Sequence, residues 1–270
     1  MVELGLIFPP DQPPEHLLNV ARAAEEAGLP ELWLWEDCFA EGGISCAAAA
    51  LAATDRLRVG IGLLPVPLRN VALMAMELAT LERLHPGRLL PGIGHGVLDW
   101  MGQAGVRAAS PLTLLREYGG ALRALLDGES VTMTGRYVAL DRVQLRHPTA
   151  TRVPLLVGAE GPKTLALAGE IGDGVIFTGG TTPAQLRRGL TIAHEARTAA
   201  GFLGPPDAIV FAAAHITAPA EQIAQAVTEL ADAGGAHRVA VCALSPHGPP
   251  DGTLALVDFA ATLRDVQTML

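Results

Sequence analysis

Residues 153–186 read VPLLVGAEGPKTLALAGEIGDGVIFTGGTTPAQL. Two short apolar runs, 153–157 and 174–177, each end in a glycine-bearing loop. Each loop opens a helical pattern, 161–170 and then from 183 to about 200. Continuous apolar runs of this length suit parallel strands buried on both faces. Backbone N–H groups in the loops, the starts of the two helices and Lys163 together make a candidate seat for a phosphate. The same loops also suit plain glycine-rich barrel connections.

The strand–helix alternation extends in both directions. Upstream, strands are predicted at 3–8, 31–35, 57–63 and 88–93, with helices at 14–27, 44–53, 71–84 and from Ser110 to about 126. Downstream, strands at 208–215 and 237–241 precede helices at 219–233 and 254–269. Eight βα units predict an α/β fold of the (β/α)8 TIM-barrel type over 1–270, a single domain with a small excursion near 128–150. An open doubly wound sheet is the runner-up. Its first strand would need a glycine fingerprint at its exit, and FPPDQPP stands there instead.

The chain has 270 residues, 50% of them hydrophobic and 17% charged, which is ample for a core. Its 30 glycines and 20 prolines suit many short loops better than a helical bundle. A net charge of −9 without a Lys/Arg run argues against nucleic acid as a partner. Cys38, Cys46 and Cys242 have no metal-ligand spacing, so no metal is expected and a reduced, cytoplasmic chain is. The opening MVELGLIFPP lacks the pattern of a secretory leader, and the run CAAAALAA is too short to span a membrane.

Candidate chemistry collects where strands end. In WLWEDCF, 33–39, the alternation puts Trp33 and Trp35 on one face and leaves Glu36 and Asp37 at the strand's exit. These carboxylates are either acid–base groups raised in pKa by burial or caps on nearby backbone. In GIGHG, 92–96, Gly94 lets the backbone approach a planar ring, and His95 is a candidate partner for cofactor or substrate. Asp99 and Trp100 are candidates for the same mouth. No helix is expected to open directly at Gly96, which sets GIGHG apart from a dinucleotide fingerprint.

Three stretches, VGIGLLPVPLRNVALMAMELATLERLHPGRLLPGIGHG (59–96), LLREYGGALRALLDGESVTMTGRY (114–137) and VPLLVGAEGPKTLALAGEIGDGVIFTGG (153–180), resemble the luciferase-like monooxygenase superfamily. Within it the chain is most similar to the oxidoreductases that use the deazaflavin coenzyme F420, including the methylenetetrahydromethanopterin-reductase type. The resemblance implies a barrel with F420 at the C-terminal ends of its strands, and hydride exchange with a small organic substrate. It leaves two alternatives: an FMN-dependent monooxygenase fed by a flavin reductase, and a non-catalytic binding or assembly protein. It implies that Gly158, Ala159, Glu160, Gly161, Pro162 and Lys163, with Gly179, Gly180 and Thr181, approach the cofactor's phosphate or tail. Glu160 would repel a phosphate that it faced. A cis bond at Gly62–Leu63 is implied, with Leu63 and Leu64 as an apolar wall behind the ring. Relatives carry Asp-His where Asp37 and Cys38 stand, and Arg-His where Arg69 and Asn70 stand. Asp37, Glu36 and His95 remain the catalytic candidates. A homodimer through early helices is also implied, and the alanines near 47–53 suit close packing.

Overall fold

A computed structural model describes residues 2–245 and 253–270. The first half runs β1 (Glu3–Phe8), α1 (Leu17–Glu26), β2 (Glu31–Leu34), α2 (Gly43–Ala53), β3 (Arg58–Pro65), α3 (Val71–Leu84) and β4 (Leu89–Gly94). A longer crossover follows, with α4 (Leu98–Gln103), α5 (Pro111–Leu126) and the antiparallel pair β5 (Val131–Thr134) and β6 (Ala139–Val143). The chain then runs β7 (Leu156–Gly158), α6 (Pro162–Ile171), β8 (Gly174–Phe177), α7 (Pro183–Ala199) and β9 (Asp207–His215). It ends with α8 (Ala220–Thr228), β10 (Arg238–Leu244) and α9 (Thr253–Met269).

Eight strands close into a parallel barrel in the order β1-β10-β9-β8-β7-β4-β3-β2, as the eightfold alternation predicts. The excursion is the β5–β6 pair, outside the barrel. Among the described residues, no helix is long and apolar enough to cross a membrane.

Local differences from the predicted elements have local causes. The strand expected at 153–157 pairs only over Leu156–Gly158, and Pro154, which has no N–H to give a ladder, lies before it. β3 continues to Pro65, and its register with β4 shifts between Ile61 and Leu64. Two residues beyond Gly96, α4 opens where no helix was expected. The helix expected over 219–233 is α-helical to Thr228 and closes in a π turn over Glu229–Ala233.

One indole fills the centre of the barrel. Trp33 is fully buried among Ile7, Leu90, Leu156, Ile176, Ile209 and Phe211. Neighbouring strands make room for it by giving up side chains. A Cβ on Gly5 would lie 2.8 Å from Trp33 Cδ1, and one on Gly60 would overlap the six-membered ring. Leu4, Leu6, Leu32, Val59 and Val239 point the other way, into the layer between barrel and helices. In that layer Gly169 of α6 lies so close to the carbonyl of Ala193 in α7 that a Cβ would collide with it.

Below Trp33, at the N-terminal ends of the strands, the indole Nε1–H donates to Glu31 Oε2 at 2.8 Å. Glu31 is wholly buried. Arg58 and Arg238 each bring a guanidinium nitrogen to 3.0 Å from its Oε1. Arg238 also pairs with Glu3 and Asp207. Burial pushes the Glu31 pKa up to about 7, against the pull of Arg238 and Arg58. An unfolded Glu titrates near about 4.3. The folded state therefore holds this proton more tightly. Its stabilising contribution is complete below the unfolded pKa and is lost as pH rises through about 7. In thermal melts across this window, Glu31→Gln should gain on the parent protein as pH rises. A Tm difference that stays constant with pH would remove Glu31 from this role.

Candidate functional site

The C-terminal ends of the strands enclose a chamber of about 510 Å3. Its floor is aromatic and apolar. Phe211 of β9 rests on Trp33, with ring centroids 5.5 Å apart at 67°, and on Trp35 at 5.6 Å. Leu63 and Ile176 complete the floor. A Cβ on Gly62 would overlap the Phe211 ring, so the bare backbone of β3 lets this phenyl rise into the mouth. The Gly62–Leu63 bond is cis, as the resemblance implied.

Of the candidate residues, Glu36, Asp37, Gly62, Leu63, His95, Gly158, Ala159, Glu160, Gly161 and Gly179 line the chamber. Leu64 does not form the expected wall. Strand alternation turns it away from Leu63 into the core under the helices, where it is fully buried. Gly94 lies beneath Leu63, whose side chain occupies the space a Cβ would take. Pro162, Gly180 and Thr181 belong to an adjoining cavity of about 490 Å3. Lys163 is exposed and lines neither cavity.

The two cavities share Ala159, Glu160, Thr178 and Gly179 as a common wall. The adjoining cavity lies against the start of α7 and carries Arg188, a cation that the loop motifs did not reveal. Arg188 lies past the first turn of its helix, and only the fold brings it back to the loops. The loop N–H groups are less free than their glycine content suggests. Ala159 N–H donates to Ile176 O at 3.2 Å and Thr181 N–H to Thr178 O at 3.3 Å. Thr182 and Gln185 form a capping box on α7. Gly161 and Gly180 remain open, since a Cβ on either would meet nothing within 4 Å. Glu160 Oε1 accepts from Thr178 Oγ1 at 2.7 Å and ties the two loops together.

Glu36 is held by three hydrogen bonds. Arg69 grips both its oxygens, with Nη2 donating to Oε2 at 2.7 Å and Nη1 to Oε1. Gly43 N–H, at the start of α2, donates to Oε2 at 2.6 Å. Asp37 next to it differs. Among the described residues, its carboxyl has no recorded hydrogen bond or ion pair, and burial raises its pKa. Cys38 does not line the chamber, and burial with the charges of Glu36 and Asp37 pushes its thiol up.

His95 Nδ1 lies 2.7 Å from the carbonyl of Gly96. A carbonyl only accepts, so Nδ1 is the donor in this contact. Trp100 lines the mouth from α4. Asp99 does not; its side chain is 92% exposed and approaches Arg107 at 3.9 Å. Trp35 lines the chamber, and its buried Nε1 has no hydrogen-bond partner among the described residues. Among those residues no group of three or more His, Cys, Asp or Glu side chains is placed to hold a metal ion.

Residues 3–251 match the profile of the luciferase-like monooxygenase family. The chain is 31% identical over 173 residues to a 5,10-methylenetetrahydromethanopterin reductase of Methanolobus tindarius, covering 64% of this chain and 53% of that protein. It is 32% identical over 195 residues to an F420-dependent glucose-6-phosphate dehydrogenase of Beutenbergia cavernae, covering 67% and 57%. The chain thus spans about half the length of the curated relatives it matches. An F420-dependent secondary alcohol dehydrogenase, solved with an F420–acetone adduct, superposes with a TM-score of 0.86 over 98% of both chains at 19% identity.

The Glu36–Arg69 clamp makes a measurable claim. Removing one member of a buried pair strands the other charge and costs about 3–5 kcal/mol, whereas removing both costs far less. Arg69→Met should therefore destabilise in urea titrations more than Arg69→Met combined with Glu36→Gln. Additive losses would show that the two side chains do not work as a pair.

Proposed function

Because the chain belongs to the luciferase-like monooxygenase family, we propose that it is an oxidoreductase that binds coenzyme F420, with the ring in the chamber and the anionic tail in the adjoining cavity. The observation that carries this reading is the shared wall: an aromatic-floored chamber opens directly onto a second cavity with a helix start and Arg188. The F420-dependent relatives support it. The residues present fit such a ligand. Trp35 Nε1–H is a buried donor without a partner among the described residues, and Gly161 and Gly180 present bare backbone to open space. Arg188 takes the role first given to Lys163. FMN has the same ring-and-phosphate layout and is the competing ligand.

When bound, the reduced ring supplies hydride. The protein supplies position and a proton. Leu63 and Phe211 brace one side of the ring site and exclude water from it. Trp35 Nε1–H and His95 Nε2 offer hydrogen bonds to ring or substrate. Asp37 holds its proton above the usual carboxylate range, because burial penalises the charged form. It is therefore suited to protonate a heteroatom on the acceptor as general acid. Activity in that direction should fall as pH rises through the elevated Asp37 pKa. With Glu36 neutralised by Arg69 and Asp37 protonated, Glu160 is the remaining carboxylate, and no Lys or Arg lines the chamber among the described residues, which favours a neutral or cationic acceptor over an anionic one.

A second copy of the chain is proposed to cover α3. Leu73, Met76 and Leu84 stand 47%, 58% and 67% exposed along it. Met76→Glu should convert a dimer to a monomer in light-scattering measurements. A parent protein already monomeric would rule this face out.

The cofactor is tested by anaerobic fluorescence titration with F420 and with FMN. F420 should bind the more tightly. Arg188→Ala should weaken F420 more than its phosphate-free precursor, and Lys163→Ala should leave both unchanged. Asp37→Asn should keep binding and lose about 10²–10⁴-fold in turnover. Binding of neither cofactor would reject the oxidoreductase reading.

A further inference from the structure

A third cavity, of about 360 Å3, lies apart from the ring chamber, between the entry to α3, the 105–108 connection, α5 and the turn into β6. Its polar lining is made of Arg69, Asn70, Arg107, Tyr118 and Tyr137, and neither Asp nor Glu is present. That is unusual company in a chain of net charge −9.

These groups are placed to donate. Tyr118 is only 2% exposed, and its hydroxyl has no hydrogen-bond partner among the described residues. A buried polar group left in this state costs stability unless a ligand or water completes it. Burial raises its pKa, so it keeps its proton. Tyr137 accepts from Ser110 N–H at 2.7 Å, which leaves its own O–H to give. Asn70 spends its oxygen on Ala72 N–H at 2.9 Å and keeps its amide hydrogens. The charge of Arg69 is shared between Glu36 and Glu77. Arg107 is less committed, with Asp99 at 3.9 Å. The 14-residue helix α3 begins on this wall and adds the positive end of its dipole. Val66, Val106, Leu114 and Val138 make the remaining surface apolar.

We propose that this cavity binds a small organic anion, a carboxylate on an apolar body, with its charge toward Tyr118, Arg107 and the start of α3. It is a different site from the ring chamber. Arg69 connects the two, since the guanidinium that lines this cavity also grips Glu36 on the chamber wall.

The test is calorimetric titration of the full chain with benzoate and with benzamide, its neutral counterpart, repeated in saturating FMN or F420. Benzoate should bind at one equivalent with or without cofactor, and benzamide should not bind. Tyr118→Phe should weaken benzoate by about tenfold or more, as expected for a hydrogen bond to a charged group. The same variant should hold or raise the urea midpoint, because it deletes an unpartnered hydroxyl. Arg107→Gln should weaken benzoate without changing cofactor affinity. No benzoate binding at millimolar concentration would overturn the proposal. So would competition with cofactor, affinity indifferent to both variants, or a Tyr118→Phe protein that is less stable than its parent.

Discussion

The mouth of the barrel is built on the packing of a single indole. Trp33 occupies the barrel centre because Gly5 and Gly60 leave room for it and Glu31 holds its N–H from below. Phe211 then rests on Trp33, over the bare backbone of Gly62, and becomes the floor of the chamber. The depth of the chamber is thus set from beneath. A smaller residue at position 33 would open a cavity in the barrel interior and remove the support of Phe211. Core packing and site geometry are here the same contacts.

The electrostatics of the mouth divide adjacent carboxylates into different roles. Glu36 and Asp37 are neighbours in sequence and both reach the chamber. One is held by a guanidinium and a helix N–H; the other stands without such partners among the described residues. The first fixes α2 and the β3–α3 connection to the end of β2. Burial raises the pKa of the second, which suits it to the proton-donor role proposed above. Environment, and not residue type, separates the two.

Much of this was legible in the sequence, because strand and helix periods are local. The eight βα units, the helix end expected at 27, where Gly28 follows with φ of 77°, and the helix start expected at 183, after the Thr182 cap, all follow from neighbours in the chain. What the sequence does not show is what distance in the fold decides. Lys163 belongs to the loop motif yet faces solvent, while Arg188 reaches the cavity from further along α7. Leu63 and Leu64 are equally apolar, and only the path of β3 determines which one meets the chamber. Glu36 reads as a catalytic acid until Arg69, 33 residues away, is found holding it. Phe211 has no motif at all; it is the one phenylalanine in DAIVFAAAH, between aliphatic neighbours on both sides.

The contact between Gly169 and the Ala193 carbonyl has a consequence for the cavity beside the chamber. With no side chain between them, α6 and α7 touch backbone to backbone, so neither slides or tilts without the other. The starts of both helices border that cavity. Its jaws therefore have a fixed gauge. If a cofactor tail seats there as proposed, one too broad for the gap meets a rigid frame, and selection at this end is by calibre.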